Sequence, residues 1–336
     1  MARNQLATAA QLRALFESYT QSDSSRFLSV ATQIAAHAAR AGDEVLADEL
    51  RKLVEEAKRR DALRSVSASS IIPMARPTGD LAGLVAATYP KTRLSDMVLT
   101  KPVLGRLKRV VREYRNSERL EMRGLHPRRK LLLVGPPGCG KSMTAAAISG
   151  ELGRPLLQVQ LHALIAKFMG ETAAKLHLVF QAMEKAPGVY LFDEFDALGA
   201  HRGADNDVGE ARRILNSFLI FLEQDTSRSI IIAATNVPDM LDRALFRRFD
   251  DVITYQHPAG TMIESLMRNR LAGFDTSTIH WDKVLGAGAG LSHGELVRAC
   301  EDAAKDAVLS GKERILTSVL IKALRARLGH KNNNKK

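Results

Sequence analysis

Eight consecutive residues, Gly135-Pro136-Pro137-Gly138-Cys139-Gly140-Lys141-Ser142, combine three glycines, a lysine and a hydroxyl at a spacing that suits one task. Glycine permits the left-handed backbone of a tight loop, so several N–H groups can converge on one anion. Gly, four residues, then Gly-Lys-Ser is the spacing of loops that cradle nucleotide phosphates. Lys141 is predicted to reach the β- and γ-phosphates and the Ser142 hydroxyl to sit on Mg²⁺. Met143 opens a helical stretch whose positive dipole end faces the same anion. A glycine turn without a ligand would need neither this helix start nor the apolar run Leu131-Leu132-Leu133-Val134 before it.

Fifty-two residues after Lys141 the apolar run ending at Phe192 meets Asp193-Glu194. Acids at the end of a buried strand are where an open α/β sheet places its chemistry. Asp193 is predicted to hold the metal, directly or through water, and Glu194 to orient a water and take its proton. A third apolar run ends in Asn236, placed to sit beside the γ-phosphate and position that water. Arg247 and Arg248 follow just before another strand. They cannot easily curl back to their own site, so they are expected to serve a neighbour's phosphates in trans. The reaction this set suits is hydrolysis of a phosphoanhydride.

These residues need a scaffold that brings strand ends together. Short, almost uninterrupted apolar runs at 131–134, 156–159, 189–192 and 230–233 suit strands buried on both faces. Helical stretches separate them, and 251–255 adds a fifth run. The fold class expected is α/β, a right-handed, doubly wound, parallel five-stranded sheet over residues 94–257. Helical patterns at 261–271, 292–309 and 316–328 make a C-terminal helical lid, 258–329, and residues 330–336 read as a disordered basic tail.

Residues 1–64 read as an N-terminal bundle of three amphipathic helices. Leu12, Leu15, Phe16 and Tyr19 face inward on the first, Phe27, Ala31, Ile34, Ala35 and Ala38 on the second, and Val45, Leu46, Leu50, Leu53 and Val54 on the third. The bundle has no obvious catalytic residue, so it is expected to dock a partner or client. Residues 65–93, rich in Ser and Pro, read as a linker with a short helix at 80–87.

Composition narrows the classes. In 336 residues no apolar stretch approaches the 18 or so needed to span a bilayer, and no signal-peptide-like segment opens the chain. Two cysteines, Cys139 and Cys300, make no disulfide framework and favour a reducing, cytoplasmic setting. The net charge is +12, and residues 101–130 carry eleven Lys/Arg against three Glu. Such a stretch is either a solvated helix face or a surface for nucleic acid or acidic proteins. No aromatic side chains interleave the basic tail, so a base-stacking platform is not expected there.

Taken together the motifs resemble those of AAA ATPases over residues 94–328. GPPGCGKS and LFDEFDAL are similar to the family's two nucleotide motifs, and AATNVPDMLDRALFRRFD to its sensor and arginine-finger stretch. Leu291-Ser292-His293-Gly294-Glu295-Leu296 resembles its lid motif, normally Ser-Gly-Ala-Asp-Leu. The resemblance implies ATP as the nucleotide with Mg²⁺, residues 135–143 around its phosphates, and Asp96 and Met97 on the adenine side. It implies a pore loop at Phe168 and Met169 that grips a polypeptide, an inter-subunit helix at 209–213, and a homo-oligomeric, hexameric ring that remodels a protein client. The finger stretch is shorter than the family's usual Arg-Pro-Gly-Arg-Phe-Asp, so either Arg247 or Arg248 can be the finger. A helical domain before one such module also resembles bacterial ATPases encoded beside subtilisin-like proteases, which implies a protease partner. A nucleic-acid motor or loader and an ATP-gated scaffold that threads nothing are the rival readings.

Overall fold

In the computed structural model the described residues are 31–32, 34–35, 38, 46–50, 52–55, 79–164, 171–198, 205–237, 243–312 and 314–333. The pore-loop residues Phe168 and Met169 lie outside them, as do the first predicted helix, residues 56–78 of the predicted third helix and linker, and 334–336 of the tail. The chain forms two compact units, Met1–Met74 and Ala75–Lys336. In the first, the helical residues 31, 32, 34, 35, 38, 46–50 and 52–55 bury Ala35, Ala38, Ala47 and Val54. Leu53, expected inside, is 62% exposed.

The second unit runs β1 (Val85–Thr88), α1 (Lys101–Arg115), α2 (Ser117–Glu121), β2 (Lys130–Val134), α3 (Lys141–Leu152), β3 (Leu156–Val159), α4 (Leu161–Leu164), α5 (Glu171–Lys185), β4 (Val189–Phe192), α6 (Asp205–Gln224), β5 (Ile230–Thr235), α7 (Arg243–Phe246) and β6 (Asp251–Thr254). The lid follows as α8 (Thr261–Arg270), α9 (Trp281–Gly288), α10 (His293–Leu309) and α11 (Thr317–Asn333). The sheet order is β1-β3-β4-β5-β2-β6.

All neighbouring strands are parallel except β1, which pairs antiparallel with β3. The sheet therefore has six strands and is mostly parallel, where five parallel strands were expected. The extra strand lies where the sequence suggested a helix at 80–87. Gly79, at φ +63, and Gly83 interrupt a helical run, and β-branched Val85 and Thr88 favour extended backbone. An edge strand needs only one buried face. Val85 is buried while Ala86 and Thr88 are exposed, so no long apolar run announces it. Its edge is extended by Gln160, whose N–H donates to the Leu84 carbonyl at 2.8 Å.

Period-two alternation in the strands builds two cores. Leu132 and Val134 point to the side packed by α5 and α6, with Phe180, Phe192 and Phe218 at its centre. Leu131 and Leu133 point to the other, packed by α1 through Leu107, Val110 and Val111 and by α3 through Ala145, Ala147 and Ile148. Helices thus cover both faces, and β4 and β5 are buried along their whole length. The lid has its own core around Met267, Leu296 and Leu320. Ser292 starts α10 with a capping box: its hydroxyl accepts from Glu295 N–H, and the Glu295 carboxylate accepts from Ser292 N–H at 2.7 Å.

Candidate active site

β4, β5 and β2 are adjacent and run the same way, so the residues after Phe192, Thr235 and Val134 emerge at one edge of the sheet. Gly135 continues β2, its N–H donating to the Thr235 carbonyl at 3.2 Å, and the loop then turns into α3. Two of its glycines are required by crowding. A Cβ on Gly135, at φ +154, would lie 2.6 Å from the Tyr255 carbonyl oxygen. One on Gly138, at φ +74, would lie 2.7 Å from Ser292 Oγ of the lid. Behind the loop Thr144 Oγ1 donates to the Gly140 carbonyl at 3.0 Å and meets the Tyr255 hydroxyl at 2.7 Å.

Lys141 is 6% exposed and directed back across the loop. Its Nζ donates to the Gly135 carbonyl at 2.7 Å, the Pro136 carbonyl at 3.0 Å and Asn236 Oδ1 at 2.8 Å. Burial holds its pKa below the usual lysine value, and the charges of Cys139, Asp193 and Asp196 oppose that shift. Ser142 Oγ donates to Asp193 Oδ2, so the hydroxyl and carboxylate expected at the metal are already side by side. Two hard oxygen donors of this kind, with room beside them for phosphate oxygens, fit Mg²⁺.

Glu194 is the only non-glycine residue at positive φ among those described, at 52°. That conformation costs roughly 1–2 kcal/mol for an L-residue and turns the side chain out of the strand direction. Its N–H donates to Asp193 Oδ1 at 3.0 Å. Asn236 is fixed from behind, its N–H donating to Asp196 Oδ1 at 3.1 Å. Asp196, in the same acidic stretch, was not among the predicted site residues. Its signal is the third acid of Asp-Glu-Phe-Asp.

A cleft of ≈ 610 Å³ collects these groups. Asp96, Met97, Pro137, Gly138, Cys139, Gly140, Lys141, Ser142, Met143, Asp193, Glu194 and Asn236 all line it. Gly135 and Pro136 are absent from its wall and act through their carbonyls on Lys141. Met97 packs on the loop, its Cε 3.4 Å from where a Gly140 Cβ would be. Asp96 caps its own turn, accepting from Arg93 N–H at 2.8 Å.

The lid supplies the opposite wall with Leu266, Asn269 and Arg270 of α8 and His293, Gly294 and Val297 of α10. Apart from the motif residues His293 and Gly294, these were missed, although 266 with 269 and 270, and 293 with 297, share helix faces. Lid and loop touch directly: Gly294 N–H donates to the Gly138 carbonyl at 3.0 Å. His293 Nε2 donates to the Val98 carbonyl at 3.2 Å, while its buried Nδ1 has no hydrogen-bond partner. Burial, with His257 nearby, lowers the His293 pKa.

Arg247 and Arg248 are exposed and do not line the cleft. Arg248 pairs with Glu223 at the end of α6, whereas Arg247 makes no such pair among the described residues.

A mostly parallel sheet whose glycine loop enters a helix beside an acid-tipped strand, under a helical lid, defines the class of phosphate-loop nucleotide-binding proteins. Residues 131–257 match the family described as "ATPase family associated with various cellular activities (AAA)". An uncharacterized AAA family ATPase, y4kL, of Sinorhizobium fredii is 32% identical over 317 residues, covering 94% of this chain and 92% of that protein. The chain belongs to the AAA family of ATPases.

The ATP-dependent zinc metalloprotease FtsH of a Synechococcus species is 38% identical over 178 residues, 50% of this chain and 28% of that protein. The chain therefore spans little more than a quarter of that relative's length. The crystal structure of the FIGL-1 AAA domain superposes with a TM-score of 0.57 at 20% identity, covering 72% of this chain and 85% of that domain, which shows a common fold. Among the described residues no helix is long and apolar enough to cross a membrane.

Proposed function

We propose that the chain hydrolyses ATP in this cleft and, as a head-to-tail ring of identical subunits, uses the cycle to remodel a protein client. The observation that carries the reading is the convergence of Lys141, Ser142, Asp193, Glu194 and Asn236 on one cleft at the sheet's C-terminal edge. The phosphate-loop N–H groups and Lys141 hold the phosphate chain, and the wall at Asp96 and Met97 with the lid holds the adenine. Ser142 and Asp193 would hold Mg²⁺, which when bound neutralises charge on the phosphates. Glu194 takes the proton of the attacking water, and Asn236 fixes that water's position. The lid limits access of bulk water.

Arg247 is the better candidate for the finger, because Glu223 already holds Arg248. An arginine that serves a neighbour's site requires heterologous contacts, and these close into rings, here most simply a hexamer. Phe168 and Met169 would grip the client in the pore. Residues 1–64 would select the client or a partner, for which a subtilisin-like protease is the specific suggestion. The two cysteines are buried and not joined in a disulfide, which suits a reducing setting such as the cytoplasm.

The basic stretch supports the protein reading over a nucleic-acid motor. Arg106 pairs with Asp251, Arg109 with Glu113, Arg115 with Glu151 and Arg129 with Asp225, so part of its charge is matched by acids of the same fold.

Equilibrium binding tests the site. Lys141→Ala should weaken ATP binding about tenfold to a hundredfold, the worth of a charged hydrogen bond. Unchanged affinity would remove Lys141 from the phosphates. Phe168→Ala should leave folding and basal turnover intact and abolish remodelling. Full remodelling by a stable variant would replace threading with an ATP-gated scaffold.

A further inference from the structure

The hydrogen bonds of Lys141 are fully committed within the protein. An ammonium has three N–H donors. The carbonyls of Gly135 and Pro136 take two, and Asn236 Oδ1, at 2.8 Å, takes the third. A phosphate oxygen can enter this set only by displacing one acceptor. The two carbonyls belong to the loop itself and are fixed by its fold. Gly135 is bonded to β5 through its N–H and wedged against Tyr255. The Asn236 carboxamide is the acceptor that can leave, because it hangs on a side chain at the end of β5. Its backbone does not need to follow, being held by Asp196 at 3.1 Å.

We propose that Asn236 competes with the nucleotide phosphates for Lys141, so that phosphate capture by the lysine is what releases the Asn236 carboxamide to hold the water. The inference rests on the nucleotide-site reading above and adds a second role for one of its residues. Water positioning is thereby tied to an engaged lysine: while Asn236 holds Lys141, its carbonyl oxygen is withdrawn from the water. The exchange involves no bond making beyond hydrogen bonds.

The competition has a sign that a simple γ-phosphate contact lacks. Removing the competitor should tighten binding of a nucleotide that carries no γ-phosphate. The experiment measures ADP binding to the full chain with Mg²⁺ by calorimetry, for the wild type, Asn236→Ala and the near-isosteric Asn236→Leu. Both variants should bind ADP more tightly by about tenfold or more, the worth of one displaced hydrogen bond to a charged group, while ATP turnover falls. Melting temperatures confirm that each variant is folded. If one variant fails to fold, the other carries the test; if both fail, Asn236→Ser, whose shorter side chain keeps a small polar group at the site but withdraws the carboxamide from Lys141, should still tighten ADP. Unchanged or weaker ADP binding in the folded variants overturns the proposal and leaves the nucleotide site standing. No ADP binding by the wild type overturns both.

Discussion

Glu194 combines a carboxylate next to Asp193 with a strained backbone at φ 52°. The strain has no packing reason, since the side chain is exposed. It accords with a base aimed out of its strand. Glu194→Gln should keep ATP binding and lower turnover about 10²–10⁴-fold, because an amide can orient water but cannot take its proton. Turnover near the wild-type rate in a phosphate-release assay would take Glu194 out of that role. Much at this scale was legible. Lysine, hydroxyl and acid at strand ends are dictated by phosphate and metal chemistry, so Lys141, Ser142, Asp193 and Asn236 could be named from spacing. What could not be read was partnership. That Glu223 claims Arg248, that Asp196 braces Asn236 and that His293 reaches Val98 depend on residues distant in sequence meeting in space.

Between elements, the decisive contact joins the phosphate loop to the start of α10. Gly138→Ala adds a methyl 2.7 Å from Ser292 Oγ at a left-handed φ of +74. The backbone alone should cost roughly 1–2 kcal/mol, and the clash should push the lid away. We expect weaker ATP binding with a modest fall in melting temperature; unchanged binding would mean that the loop and lid need not touch.

His293 makes the same junction sensitive to acid. Its folded pKa lies below the usual 6.5, because burial and His257 disfavour the charged ring. Below that value the unfolded chain binds a proton that the folded one refuses, so this group removes stability as pH falls through it. Thermal melts at about pH 7.5 and about pH 5.5 should show a smaller drop for His293→Asn than for the wild type. An equal drop would assign the acid sensitivity elsewhere. The sequence conveyed the buried strands because both faces of each are apolar. It hid β1, where one buried face out of two leaves Val85-Ala86-Ala87-Thr88 looking like neither strand nor helix.

For the whole molecule, a finger acting in trans means that each active cleft is completed by a neighbour. Arg247 is exposed and, among the described residues, has no ion-pair partner; it lies outside its own cleft, next to β6, which pairs with β2 and so leads to the phosphate loop. Subunits of Arg247→Ala have an intact cleft and no finger. Subunits of Glu194→Gln have the finger and no base. Each alone should turn over ATP poorly. The most direct measurement is ATP turnover across mixtures of the two, with mixed assemblies verified by mass. Activity should lie well above the sum of the separate variants and peak at intermediate ratios, because the base-deficient subunit lends its arginine to the other's cleft. Mixed assemblies that remain as inactive as their components would contradict it.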